Sequence, residues 1–409
     1  MVKIHKNFKM YIIFVAAVII FCILGIYHYE EKNRDIDGLS KKQKIEDFDY
    51  MYDVLKNNYV YFDVNKRVNG YDWLSHKKEF EKEIKKTRDN VEFFNALKEI
   101  LNKLNDKHTN VLNPHAFYNY IELYENNQEW LSVLKKSNKQ YLKWKKVLPS
   151  QDTYDNQLAE SKNYETKILE NGRIAYLKIK SMDHNSIEHD KKEIDKFFYT
   201  IKSYPYLIID IMDNRGGDGE YWKENIMNLL FKGTFKVHAI TAIRGDEYSK
   251  KIYDSVYGKQ NAKSILTLPQ NFNYPPELKK DFKYYYEGTD ISQWYGTIGF
   301  RGKVYLLVDN RVFSAAEAFA YYVKSEKCIT LVGDRTLGDG LGTDPLLLRL
   351  PNSGLIIRFS GEMGLNPDGS SNAEKGTEPD IKVEKNNIPY DEYEKKVLQA
   401  TINMIDKVK

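Results

Sequence analysis

The sequence predicts an α/β protein: a core of alternating strands and helices, preceded by a helical N-terminal domain and one transmembrane helix. Three observations carry this. From about residue 167, short apolar runs suited to buried strands alternate with segments of helical period. Residues 36 to 105 are rich in lysine and glutamate, with apolar residues at helical spacing. Residues 10 to 27, "MYIIFVAAVIIFCILGIY", are uncharged and almost wholly apolar.

That N-terminal run has 18 residues, close to the roughly 20 that cross a bilayer as a helix. Lys3, Lys6 and Lys9 precede it, which places the N-terminus in the cytoplasm and the remaining chain outside. A cleaved signal peptide is the rival reading, but the run is long for one and no small-x-small site follows it. "FDYMYDVLKNNYVYF", "WLSHKKEFEKEIKKT" and "VEFFNALKEILNKLN" then read as amphipathic helices, with Asn90 as N-cap of the third. The polar, aromatic stretch 113–166 reads as a helical insertion or linker. Within the core, "GRIAYLKIKSM" alternates as a strand, "DKKEIDKFFYTIKS" suits a helix and "YLIIDI" a buried strand. "GEYWKENIMNLLF" suits a helix, and an irregular aromatic stretch runs to about 298. "KVYLLVD", "AAEAFAYYVKS" and "CITLVGD" repeat strand, helix, strand, and "LLLRLPNSGLIIRFS" reads as a hairpin turning on Pro351, Asn352 and Gly354. The chain is thereby divided into 1–35 (cytoplasmic end and anchor), 36–112 (helical domain), 113–166 (insertion), 167–390 (core) and 391–409 (C-terminal helix).

Charge excludes one class of function. Lys and Arg number 62 against 58 Asp and Glu, a net +4 spread along the chain, whereas a dedicated nucleic-acid surface concentrates basic residues on one face. The two cysteines, Cys22 in the apolar run and Cys328 in a predicted buried strand, form no disulfide framework. No cysteine–histidine spacing indicates a metal site, and no cofactor is expected.

Two segments point to chemistry. In "LIIDIMDNRGGDG" a buried strand ends at Asp210, and Asn214, Gly216 and Gly217 form the turn beyond it; paired glycines there expose backbone N–H groups that suit an oxyanion hole or a phosphate cradle. In "VFSAAEAFA" Ser314 falls at the start of a helix, where the Ala315 amide would face a developing negative charge. Each has a plain structural alternative: an ordinary strand-to-helix turn for the glycines, and for Ser314 a helix N-cap completed by Glu317 as a capping box.

In order along the chain, D-x-x-x-N-x-G-G (Asp210 to Gly217), F-S-A-A-E (Phe313 to Glu317), V-G-D-R-T-x-G-x-G (Val332 to Gly340), P-D-G (Pro367 to Gly369) and G-x-E-P-D-I (Gly376 to Ile381) resemble the C-terminal-processing, or tail-specific, serine peptidase family. The resemblance spans roughly residues 167 to 385. It implies a crotonase-like (ClpP/crotonase-type) core of repeated ββα units, Ser314 as nucleophile, and an oxyanion hole from the Gly216–Gly217 turn and the Ala315 amide. It also implies protein or peptide substrates, which the positive-inside reading above would have the catalytic domain meet outside the cytoplasm. The family's better-known members place a lysine base where this chain has Asp339. Their peptide-binding PDZ module is not expected in 113–166, which is short and lacks its glycine-flanked loop.

A second branch of the family, resembling the tricorn protease core and the repeats of interphotoreceptor retinoid-binding protein, takes a histidine from the N-terminal region as base. "LNDKHTNV" places His108 in that role, and imidazole titrates near neutrality. His5 and His28 flank the apolar run, and His76, His115, His184, His189 and His238 lie in polar stretches without such context. Glu374 is the nearest counterpart of the carboxylate that would orient the histidine, with Asp106 and Glu378 as alternatives; the role of Asp339 stays open. Two rival functions remain at this point: a catalytically silent relative that binds a peptide or apolar ligand, and an acyl-transfer enzyme of the wider crotonase group. Cleavage specificity and oligomeric state are not legible.

Overall fold

In a computed structural model the described residues are 38–148 and 162–407. The apolar run 10–27 lies outside them. Among the described residues no helix is long and apolar enough to cross a membrane, so the expected transmembrane element has no counterpart there.

The core is a six-stranded sheet in the order β13-β9-β8-β4-β3-β2. Its strands are β2 (Tyr164–Glu170), β3 (Ile174–Ile179), β4 (Tyr206–Asp210), β8 (Lys303–Val308), β9 (Thr330–Gly333) and β13 (Ile381–Lys382). All pairs are parallel except β2 with β3. Parallel strands need helical crossovers on both faces, which explains the continuous apolar runs. Ala175, Leu177, Leu207, Ile209, Leu306 and Val308 point to one face, against the helices Ile187–Thr200 and Ala315–Ser325. Ile174, Tyr176, Ile208, Tyr305 and Leu307 alternate with them toward the C-terminal helix Tyr390–Lys407.

A second, antiparallel sheet has the order β12-β5-β7-β6, with β5 (Lys232–Ile243), β6 (Lys263–Ser264), β7 (Tyr284–Tyr295) and β12 (Met363–Leu365). The twelve-residue partners β5 and β7 both fall in the stretch read from sequence as irregular and aromatic. The outer part of β7 is solvent-exposed on both faces and carries no period-2 pattern, so periodicity could not mark it. The helix expected over "GEYWKENIMNLLF" forms, with a wide π turn at Lys223–Met227 and an end at Leu230.

The N-terminal part forms the helices Lys41–Asn58, Phe62–Asn69, Lys77–Lys86 and Asn90–Asn102; the first of the three expected helices ends at Asn58, inside "FDYMYDVLKNNYVYF", and a separate helix begins at Phe62. The N-cap of the last is Asp89, whose carboxylate accepts from the Glu92 amide at 2.8 Å, one residue before the expected Asn90. These helices share one apolar cluster with β5, β7 and the hairpin β10 (Leu346–Arg349) and β11 (Ile356–Phe359). The hairpin turns at Pro351 to Gly354 as the sequence indicates, and a third strand, β1 (Asn110–Val111), is added antiparallel to β11. Residues 113–148 are no free linker. Their helix Gln128–Val147 fastens to the hairpin through Trp130 Nε1, which donates to Pro345 O at 2.7 Å, and Trp144 Nε1, which donates to Ser353 O at 3.1 Å.

Candidate active site

Three loops leave the carboxyl ends of the adjacent parallel strands β4, β8 and β9, the end of an α/β sheet where ligands commonly bind. They are zipped together beyond the strands. Phe313 N donates to Asn214 O at 3.2 Å, Leu337 N to Val312 O at 2.8 Å and Ser314 N to Gly338 O at 3.3 Å.

Ser314 stands at the tip of the β8 loop with φ 56° and ψ −125°, a backbone region that favours glycine. A non-glycine residue there costs about 1–3 kcal/mol and persists only where its surroundings impose it. Its hydroxyl does not cap the helix Ala315–Ser325, so the capping-box reading is overturned. Glu317 instead turns inward, where Oε1 accepts from Asn372 Nδ2 and from Thr377 Oγ1, both at 2.7 Å. Burial pushes its carboxyl up to about 7 against these bonds.

The Ser314 hydroxyl meets His108. Nε2 lies 2.9 Å from Ser314 Oγ, and the imidazole leans on the Phe313 ring at 4.4 Å between centroids. The ring, 206 positions earlier in the chain, is brought to the serine by β1, which is seated on β11. The turn before β1 is fixed by Asp106, which accepts from the His108 amide at 2.9 Å and from Ser360 Oγ at 2.9 Å. Arg358 Nη1 donates to His108 O at 3.4 Å.

The carboxylate that faces the second ring nitrogen is Asp339: its Oδ2 lies 2.6 Å from His108 Nδ1, and its other oxygen accepts from Tyr61 OH at 2.6 Å. Glu374 is not brought to the histidine. Its oxygens pair with Arg67 at 2.6 and 3.3 Å, and Arg67 also makes a two-pronged pair with Glu277 at 3.0 Å. The lysine position of the resembling peptidases therefore carries the carboxylate here. Asp339 reaches the ring because glycines flank it. A Cβ on Gly340 would lie 2.4 Å from Ala318 N and 2.6 Å from Ser314 O, so only glycine lets this loop press on the serine's helix. The sequence offered one clue to this residue, a lone acidic side chain between two glycines opposite a histidine in need of a partner.

Electrostatics separates the two aspartates near the ring. Burial alone would raise Asp339, but the charge and hydrogen bond of His108, with the Tyr61 hydroxyl, bring it below the ordinary carboxylate value. Asp106 is pushed up, by burial first and then by the neighbouring Asp339 charge. Ligand atoms of Asp106, His108 and Asp339 lie within 4.8 Å of one another, a spacing a metal ion could use. Each of these groups already has a protein partner: Ser314 and Asp339 for the imidazole, Tyr61 for Asp339, Thr109 and Ser360 for Asp106.

The glycine turn is split in function. Gly216 N donates to Asn214 Oδ1 at 2.9 Å and so cannot meet a ligand; this removes it from the expected oxyanion donors. Gly216 serves contact instead, since a Cβ there would lie 2.8 Å from both Ala315 N and Ser314 Cβ. Among the described residues the amides of Gly217 and Ala315 have no acceptor, and both residues line the cleft beside Ser314. Asp210 ends β4 with its carboxylate buried, accepting from Tyr176 OH at 2.6 Å and from the Met212 amide at 2.9 Å.

Solved structures share this architecture. Mature CPAF complexed with lactacystin aligns with a TM-score of 0.56 at 13% identity, covering 90% of this chain and 99% of its own. A Parabacteroides merdae ATCC 43184 protein aligns with a TM-score of 0.52 at 19% identity, covering 90% and 97%. At such identities the likeness shows the fold. No curated protein sequence matches the chain. The sequence profile of Peptidase family S41 matches residues 173–383, more than half of the chain, with β3, β4, β8, β9 and the Ser314 and Asp339 loops inside it; the chain belongs to Peptidase family S41.

Proposed function

We propose that the protein is a serine endopeptidase in which Ser314, His108 and Asp339 work as one relay. The observation that carries this is the line Ser314 Oγ, His108 Nε2, His108 Nδ1, Asp339 Oδ2, with contacts of 2.9 and 2.6 Å at its two ends. Asp339 holds Nδ1 as the protonated nitrogen, which leaves Nε2 free to accept. Ser314 Oγ attacks the peptide carbonyl carbon while its proton passes to Nε2. The carbonyl oxygen becomes an oxyanion held by the Gly217 and Ala315 amides. The C–N bond then breaks, Nε2 protonates the leaving amine, and an ester on Ser314 remains. Water, deprotonated by the same nitrogen, hydrolyses that ester and regenerates the hydroxyl.

Protein or peptide chains are the substrates. The reading extends to a crotonase-like core and to the N-terminal run 10–27 as a membrane anchor with the catalytic part outside the cytoplasm. The parallel ββα-type order of the core and Lys3, Lys6 and Lys9 ahead of the run support these. A fluorophosphonate probe tests the relay. Ser314 is expected to be labelled in the wild type, and His108→Ala to abolish labelling and peptidase turnover. No labelling of the wild type, with peptides bound but uncut, would favour a silent binding protein instead.

A further inference from the structure

Ser314 opens onto a cavity of about 750 Å³ that also reaches Gly217, Ala315 and Asp339. Seven carboxylates line it, and among the described residues one ammonium, that of Lys223, stands with them. Six of the seven are matched by a basic group or lie in solvent. Glu220 pairs with Lys223 at 2.7 Å and Glu287 with Lys263. Asp218 meets His184 Nδ1 at 2.6 Å, Asp339 meets His108, and Asp344 faces the Arg358 charge. Asp290 lies exposed on the outer part of β7. The seventh, Glu362, is buried just ahead of β12 and pairs with no ammonium or guanidinium among the described residues.

The partners of Glu362 are neutral donors. Oε1 accepts from the Thr343 amide and, at 2.7 Å, from the Thr343 hydroxyl. Oε2 accepts from Tyr257 OH at 2.9 Å, and the Thr241 hydroxyl also stands beside the carboxyl. Burial pushes the carboxyl up despite those bonds, so a cation brought beside it would stabilise its charged form. Close by is a second unanswered group, the Tyr253 hydroxyl, fully buried and without a hydrogen-bond partner among the described residues. Gly342 and Gly361 line the cavity too, and a Cβ on them would lie 2.7 Å from Glu362 Oε1 and 2.6 Å from Tyr253 OH. Glycine at both positions leaves these two oxygens uncovered on that side. Tyrosine rings complete the lining: Tyr257 lies 4.9 Å from Tyr286 and 6.1 Å from Tyr253 between centroids.

We propose that this tyrosine-lined cavity is a subsite for a cationic side chain, lysine or arginine, of the peptide substrate near the scissile bond. This rests on the peptidase reading above. An ammonium or guanidinium carries several N–H donors, enough for Glu362 and the Tyr253 oxygen together. Aromatic rings add an attraction that an uncharged side chain of the same length does not receive. Lysine and arginine share this chemistry, and the test separates them.

The test is a set of N-acetylated, C-amidated peptides carrying lysine or norleucine, and arginine or citrulline, at each position in turn. Binding is measured on Ser314→Ala by fluorescence anisotropy and cleavage on the wild type as kcat/KM. Expected is a preference of about tenfold or more for the charged member of a pair at one position. The larger preference, lysine over norleucine or arginine over citrulline, identifies the side chain. In Glu362→Gln, which keeps the acceptor oxygen for Thr343, the charged-to-neutral ratio should fall toward one. Tyr253→Phe breaks no hydrogen bond within the described residues and should lower the ratio by about threefold, which tests the subsite even where Glu362→Gln fails to fold. A preference that survives both variants would overturn the assignment to this cavity. Peptides that bind and are cut with a ratio near one throughout would overturn the subsite and leave the peptidase intact. Charge-selective binding to Ser314→Ala without wild-type cleavage would retain the subsite and remove the peptidase reading. No charge preference in binding and no cleavage would remove both.

Discussion

In the proposed relay Asp339 orients the imidazole, at the position where the lysine-using peptidases that the sequence resembles carry their base. Its carboxylate faces Nδ1, not the Ser314 hydroxyl, and its lowered proton affinity keeps it charged through neutral pH. A depressed carboxylate supports the native site above its unfolded value near 4, and that support is lost as pH falls through its folded value. Asp339→Asn should leave circular dichroism unchanged while turnover falls by about 10⁴-fold, the loss expected when the ring is held in the wrong tautomer. Glu374→Gln, which touches Arg67 and not the ring, should change turnover by less than about threefold in the same assay. Tyr61 is a positioning residue, since it acts on the ring only through Asp339. In Tyr61→Phe the Asp339 charge is less dispersed and stabilises the imidazolium more, so the acid limb of the kcat/KM profile should move to higher pH. His108 was legible because its spacing and context marked it. Asp339 was not, because its contact bridges 231 positions of chain and depends on what glycines at 338 and 340 allow. Glu374 looked right by order alone, until an arginine 307 residues away in sequence claimed it.

At the scale of elements, the helix that starts at Ser314 is clamped to the 372–377 segment through Glu317. A buried carboxyl raised to about 7 contributes stability that is fully present below its unfolded value near 4.5 and lost as pH rises through 7. The loss is at most about 3.4 kcal/mol, at 1.36 kcal/mol per pH unit. Wild-type Tm should therefore carry a downward component between pH 4.5 and 7 that is absent from Glu317→Gln, as calorimetry across that range would show. The parallel strands were legible because both of their faces are apolar. β5 and β7 were not, since most of β7 beyond Tyr286 lies in solvent and is held by pairing with β5 rather than by burial. β1 was equally hidden: two residues carry no pattern, yet they seat the segment that carries His108.

The whole molecule closes one apolar cluster from two distant parts of the chain, the N-terminal helices and the β10–β11 hairpin. A fragment beginning at residue 162 would expose Leu346, Leu348, Ile356 and Phe359, all fully buried or nearly so in the intact chain. It should bind the dye ANS strongly, aggregate and show no probe labelling of its Ser314, because apolar surface of that extent is not left open on soluble proteins. Boundaries drawn from composition separated what packing unites, since composition changes along the chain and contacts do not follow it. The same joining has a consequence during synthesis. His108 leaves the ribosome some two hundred residues before Ser314, and its seat on β11 needs the chain as far as Phe359. In the proposed relay no proton acceptor meets Ser314 before the β10–β11 hairpin is complete, so activity is expected only once nearly the whole chain has been made.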